Sequence, residues 1–312
     1  MEGEAATPSA LTEAEGLLRE IAGERVRRDF PLAPLTSFRL GGRAAMFLEA
    51  ESLDDLDAAG RAVRKTSLPF VVLGKGSNVL VSDRGFPGLV LRLGRAFRWA
   101  ARDGDRLSAG GSMPLPALAG VALSHGLAGL EFGVAIPATL GGSVRMNAGA
   151  HGHSLDEVLE SVELFLLAEG RSLVIPAREA GFRYRHSELP EQGVVIGASV
   201  LLRPGDAEEI RRQMGEAREW RRATQPLAEP NCGSVFKNPP GDHAARLIEA
   251  VGGKAMAVGG ARVSQKHANF IVAGEGASAR DVRDLMALLG ERVRERFDIA
   301  LQPEVQMVGD VT

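Results

Sequence analysis

Three stretches of this sequence set side chains capable of chemistry beside residues that constrain or free the backbone. Tyr184-Arg185-His186-Ser187 places the only tyrosine of the chain next to an arginine. A guanidinium stays protonated, and its planar fork matches a carboxylate through two parallel hydrogen bonds. The plainer reading is a surface strand with a structural ion pair. Asn231-Cys232-Gly233-Ser234-Val235-Phe236-Lys237-Asn238-Pro239 sets a serine after glycine and ahead of lysine and asparagine. The G-x-S-x-G spacing of a nucleophile elbow is absent, and no adjacent base marks Cys232 as a nucleophile. The Ser234 hydroxyl could instead deliver a proton to a basic intermediate. Glu304, inside Pro303-Glu304-Val305, is a lone carboxylate in an apolar stretch. It is either a functional acid or half of a core or edge ion pair.

Two glycine-rich segments point to phosphate. Glycine makes up 38 of 312 residues, well above ordinary usage, and clusters in short loops where backbone can approach a ligand closely. Gly74-Lys75-Gly76-Ser77-Asn78 follows an apolar run, so its backbone N–H groups could cradle phosphate oxygens. It matches neither the Walker A spacing nor the dinucleotide fingerprint, and a tight strand-to-strand turn is the bland alternative. The second segment runs from Ala135-Ile136-Pro137-Ala138 through Gly141 and Gly142 to Asn147 and Gly149. Here too a bland reading exists, a helix start packed through small residues. Two such loops in one lobe suit an extended ligand with two phosphates. Of only five lysines, Lys75, Lys237 and Lys266 fall within these motifs, a hint that a compact ammonium is wanted there. His151-Gly152-His153 with Asp156 superficially resembles a metal site, but no third strong donor accompanies it, so no metal is expected.

The elements that must position these groups are legible as periodicities. Residues 1–10 are expected to fray. Thr12 with Glu15 reads as a capping box for a first helix, and Ser52 with Asp55 opens a second. Strands are expected at 45–50, 70–73, 88–93 and 105–109, then a helix from Pro114 to His125. The middle reads as strands at 158–168, 172–176 and 194–202, followed by an exposed helix from Asp206 to Arg222. The last third alternates a helix near 243–251, a strand at 269–272, a helix from Ser278 to Phe297 and a strand from Ile299 into Pro303-Glu304-Val305. This αβαβ pattern predicts a separately packed lobe, with a lead-in at 1–34, a first unit at 35–204 (halves about 35–95 and 96–204) and a second at 205–312.

Composition narrows the class. Charged residues at 25% nearly balance to a formal charge of -3, so no global field recruits nucleic acid or anionic lipid. The one cysteine excludes an internal disulfide and fits a reducing compartment. No targeting segment or membrane span is visible, and a cytoplasmic protein, a monomer, is expected.

Seven motifs in order resemble those of one family across nearly the whole chain. They are Leu35-Thr-Ser-Phe-Arg-Leu-Gly-Gly42, the 74–80 loop, the 136–152 loop, Tyr184-Arg185-His-Ser187, Gly233-Ser-Val-Phe-Lys-Asn-Pro239, Val263-Ser-Gln-Lys-His-Ala-Asn-Phe270 and Pro303-Glu-Val305. The family is the UDP-N-acetylenolpyruvoylglucosamine reductases, the MurB flavoenzymes of peptidoglycan synthesis. The resemblance implies an α+β chain: a two-subdomain FAD domain of the vanillyl-alcohol-oxidase (PCMH) type, followed by a C-terminal α/β substrate lobe. It implies noncovalent FAD, NADPH as reductant and UDP-N-acetylglucosamine enolpyruvate as substrate. Hydride would reach C3 of the enolpyruvyl group, with Ser234 protonating C2 and Arg185 and Glu304 lining the reacting centre. Gly74, Lys75, Gly76, Ser77, Asn78, Pro137, Gly141, Gly142, Asn147 and Gly149 match cofactor positions, and Lys237, Asn238 and His267 match substrate positions. Three departures stand out. Ala135 and Ala138 replace the usual glycines, and His151 stands where an aromatic is usual. Arg185 is followed within nine residues by the next strand, so the tyrosine-bearing loop of one subtype is absent. The alternatives are another dehydrogenase or oxidase of the same fold, or a silent nucleotide-binding module.

Overall fold

The structure, a computed structural model, describes residues 7–311. Of the ten N-terminal residues expected to fray, 1–6 lie outside the described residues and 8–10 are already helical. Helix α1 (Pro8–Ala22) begins one turn earlier than the Thr12–Glu15 pattern suggests. Thr7 caps it through the Ala10 N–H, and Pro8 fills the first turn, where its missing N–H costs nothing. Glu15 is spent instead on Arg19 and Arg28.

The first unit packs α1 and α2 (Leu53–Thr66) on a four-stranded sheet. Its order is 26–31, 43–50, 86–93, 70–72, with the last three strands parallel. The expected capping box is present: Ser52 accepts from the Asp55 N–H while the Asp55 carboxylate accepts from the Ser52 N–H. That carboxylate is fully buried and also takes the Arg25 guanidinium and the Glu51 N–H. Burial works against its charge, but these donors outweigh it and hold its pKa below the usual aspartate range. Its stabilisation is therefore complete above pH ~4 and is lost as pH falls through the lowered value. Asp55→Ala is expected to cost about 2–4 kcal/mol, between a lost cap and a broken buried pair. Thermal melts should show that deficit at neutral pH and see it shrink in acid.

The middle unit is a five-stranded antiparallel sheet in the order 171–176, 159–166, 193–201, 106–110, 100–103. Strand 193–201 is buried over almost its whole length, which explains its unbroken apolar run. Helices α3 (Leu115–Ser124) and α4 (Leu140–Arg145) join this core. So does α5 (Ala207–Thr224), through Ile210, Met214 and Ala217. By packing, α5 goes with the middle unit.

The last unit sets α6 (Ala244–Ala250) and α7 (Ala279–Phe297) against a three-stranded sheet, 257–258, 261–263 and 271–273. It is less separate than the αβαβ pattern predicts. Phe38 and Leu80 from the first unit enter its core, and strand 306–308 pairs in parallel with 79–81. The strand expected from Ile299 through Val305 is displaced: the ladder starts at Gln306, and Pro303 makes only an isolated bridge to Phe236. The phosphate-type loop at 74–78 thus leads straight into a strand bonded to the chain just beyond Glu304.

Candidate active site

A continuous cavity of about 1640 Å³ runs between the three units. That exceeds the ~300–1,000 Å³ of an ordinary small-molecule site, and suits a dinucleotide with a second ligand. Both glycine loops wall it, together with Arg185, Ser234 and Glu304.

Arg185 sits at the tip of a tight turn closed by reciprocal hydrogen bonds between Arg183 and His186 (3.1 and 3.0 Å). Its φ of +54° is in the left-handed region, where a non-glycine residue carries strain and needs holding. Its Nε–H donates to Glu304 Oε1 at 2.9 Å and its Nη2–H to the Gly149 carbonyl at 2.8 Å. Both side chains of the pair are less than one-fifth exposed. Burial pushes the Glu304 carboxyl up from its ordinary value, opposed by the nearby charges of Arg185 and Lys237.

Ser234 reaches the same place by a different route. Asn231 accepts from the Gly233 N–H, and Gly233 takes a φ of +83° that glycine tolerates, turning the chain into an extended stretch. Ser234 bridges Phe270, while Val235 accepts from the Glu304 N–H at 2.8 Å. Ser234 and Glu304 therefore lie on neighbouring extended segments, one backbone bond apart. Three residues 49 to 119 positions from each other in the sequence converge on one wall.

The 74–78 loop answers the question of phosphate. None of its five backbone N–H groups donates to another group among the described residues, which leaves them without an internal partner, as a phosphate cradle requires. A Cβ at Gly74 would lie 2.7 Å from Thr139 Oγ1, and one at Gly76, at φ +63°, would lie 2.1 Å from the Leu35 carbonyl. The loop is thus wedged between the second glycine segment and the 33–37 turn, a fit only glycine permits. Lys75, Arg39, Arg92, Arg95, Arg98 and Arg221 add positive charge around the same cavity. Val72, Leu73, Ile136, Val195 and Leu227 supply apolar surface for a flat ring system. These residues fit FAD.

Several expected residues stand elsewhere. Gly74, Lys75, Gly76, Ser77, Asn78, Pro137, Gly141, Gly142 and Gly149 line the cavity, but Asn147 does not. It is 2% exposed, and both ends of its side-chain amide are bonded inside the protein. The substrate positions Lys237, Asn238 and His267 are also off the wall. Asn238 Oδ1 accepts the Ala244 N–H at the start of α6, and the His267 ring packs on Phe270 while accepting the Asn269 N–H. Lys237 contributes its charge to Glu304 instead. Lys266 spends its ammonium on the Arg222 carbonyl.

Asn269 was missed. It is 2% exposed and bonds Phe236 through both the amide oxygen and nitrogen, while its carbonyl takes the Val235 N–H. It fixes the segment that carries Ser234, and its place in the Val263–Phe270 motif was the only signal. Arg145 is a second omission. Its guanidinium donates to the carbonyls of Leu189, Pro190 and Gly193, pinning the short connection into strand 193–201. Ala135 and Ala138 both line the cavity with φ outside the left-handed region, so their methyls strain no backbone. His151 turns away, edge-on to Trp220 at 5.0 Å between centroids. Cys232 is buried, and burial raises its thiol pKa, leaving it inert as a nucleophile.

A two-loop phosphate cradle and an apolar slot, set against a buried arginine–carboxylate pair and a hydroxyl, define an FAD-dependent oxidoreductase. The comparisons agree. Residues 44–175 match an FAD-binding domain, and residues 225–308 match the C-terminal domain of UDP-N-acetylenolpyruvoylglucosamine reductase. The reductase of Anaeromyxobacter sp. (strain Fw109-5) is 48% identical over 94% of this chain and 91% of its own length. That of Moorella thermoacetica is 41% identical over 96% and 99%. The crystal structure of the reductase from Thermus caldophilus superposes with a TM-score of 0.78 at 37% identity, covering 91% of this chain and 99% of that one. Phl p 4.0202, a glucose dehydrogenase, shares the fold over 62% of this chain and 44% of its own (TM-score 0.51, 14% identity). The chain belongs to the UDP-N-acetylenolpyruvoylglucosamine reductase family.

Proposed function

We propose that this chain reduces UDP-N-acetylglucosamine enolpyruvate to UDP-N-acetylmuramate with NADPH, in peptidoglycan precursor synthesis. Bound FAD would supply the hydride carrier between the two nucleotides. The residues supply the rest. Hydride arriving at C3 of the enolpyruvyl ether leaves an electron pair at C2, delocalised into the neighbouring carboxylate. Arg185 stabilises that charge as it grows, held in place by Glu304 and the Gly149 carbonyl. Ser234 gives its hydroxyl proton to C2, completing the saturated ether, and recovers a proton from solvent. Lys75 and the free amides of 74–78 hold the flavin diphosphate. The remaining arginines of the wall receive the nucleotide phosphates that arrive with each substrate.

The observation that carries this reading is the Arg185–Glu304 pair at 2.9 Å, one backbone bond from the Ser234 segment, on the wall of the cavity that holds the phosphate loop. We further propose that the chain works as a monomer. We place it in the cytoplasm, consistent with the single free cysteine and with the lack of any described helix long and apolar enough to cross a membrane. The substrate-binding lobe is taken to begin after α5, near residue 225. The test is a spectrum. Purified protein should be yellow, bleach on NADPH and recover its colour with the enolpyruvyl nucleotide. Bleaching without that recovery would point to another dehydrogenase of the fold; no chromophore would sink the reading.

A further inference from the structure

Asn147 does not line the cavity and both ends of its side-chain amide are bonded, so that its side chain bridges two pieces of backbone on which Arg185 depends. Its Nδ2–H donates to the Arg183 carbonyl at 3.1 Å, gripping the base of the turn that holds Arg185 at positive φ. Its Oδ1 accepts the Asp156 N–H at 3.1 Å, which ties down the far end of the small hairpin of Gly149–Ala150 and His153–Ser154. That hairpin presents the Gly149 carbonyl, the second acceptor of the Arg185 guanidinium. Asn147 itself has a φ of +41°, which asparagine tolerates better than most residues. One buried amide thus fixes both the origin of the Arg185 side chain and one of the two groups that aim it.

We propose that Asn147 is a positioning residue for Arg185, acting from behind the cavity wall and not as a ligand of the flavin. This rests on the function proposed above. A turn strained at Arg185 keeps its shape only while its surroundings over-determine it. Without the amide, the turn and the hairpin are free to relax separately, and the guanidinium leaves the position set by Glu304 and Gly149.

Asn147→Gly tests this, because glycine keeps the left-handed backbone and deletes both side-chain bonds. In the holoenzyme, FAD affinity and the rate of flavin reduction by NADPH should match wild type. Reoxidation by the enolpyruvyl nucleotide should slow roughly 10- to 100-fold, as expected when a group at the reacting centre is misplaced by a small distance. Arg185→Lys should then cost less in the Asn147→Gly background than in wild type, a coupling that a merely structural residue would not show. Weakened FAD binding with normal reoxidation of the bound flavin would make Asn147 a cofactor anchor and overturn the proposal. So would equal slowing of both half-reactions with additive effects. Should the glycine variant not fold, Asn147→Asp keeps the acceptor for Asp156 and loses the donor to Arg183, and the same comparisons apply. A crystal structure of either variant decides independently of the substrate assignment. Arg185 should have left Glu304, and a pair still at its wild-type separation overturns the proposal. A wild-type enzyme that fails to reoxidise with the nucleotide refutes the proposed function, and that structural result still stands on its own.

Discussion

Ser234→Ala is expected to leave flavin reduction by NADPH nearly intact while flavin reoxidation by the enolpyruvyl nucleotide falls about 10²- to 10⁴-fold, the usual range for losing a proton donor. The asymmetry follows from the chemistry of the two steps. Reducing the flavin needs no proton at a substrate carbon. The second half-reaction does, because hydride at C3 leaves an electron pair at C2 that must be quenched. Ser234 lines the cavity beside the Arg185–Glu304 pair, and Val235 next to it is bonded to the Glu304 backbone. Removing one oxygen disturbs little else: Gly233, Asn231 and Asn269 hold the segment through other atoms. Stopped-flow absorbance at the flavin band separates the two phases. Equal slowing of both, or of neither, would remove Ser234 from the proton transfer.

How much of this was legible beforehand depends on the range over which each feature is determined. The Ser52–Asp55 cap, the amphipathic face of α7 and the buried run at 193–201 are local patterns, and the structure reproduces them with small shifts at the ends. The N-terminus of α1 went astray because Thr7-Pro8 outcompetes Thr12 for the cap. The residues proposed to react were legible as types in motifs, since a glycine ahead of Ser234 or a lone Glu304 is visible in one dimension. Second-layer groups were not. Asn147 and Asn78 look alike in sequence, each in a glycine loop. Asn78 does line the cavity, though its amide donates to the Glu304 carbonyl, whereas Asn147 faces wholly inward. Nothing in either loop encodes which carbonyl 36 or 226 positions away will meet the amide. Likewise α5 carries so polar a sequence that its three buried residues did not disclose which core they join.

Arg185→Lys is expected to slow flavin reoxidation by roughly 10²- to 10³-fold, the cost of one lost donor to a developing oxyanion, with a smaller effect on reduction by NADPH. Lysine keeps the charge but not the fork. The guanidinium reaches Glu304 with Nε and Gly149 with Nη2 at once, an arrangement that fixes its plane; a single ammonium cannot hold both acceptors and still face a substrate carboxylate. Arg185→Ala should do more, and in a way pH reveals. Burial pushes the Glu304 carboxyl up, and the Arg185 charge is the largest influence opposing it. Without Arg185 the carboxyl rises further and ionises only at higher pH. The limb of the reoxidation profile that reports Glu304 should therefore move to higher pH in Arg185→Ala and stay close to wild type in Arg185→Lys, where a cation remains. If both variants reoxidised at the wild-type rate, or if the alanine variant moved that limb to lower pH, Arg185 would be a structural partner of Glu304 and the charge developing on the substrate would have to be met by another arginine of the cavity wall.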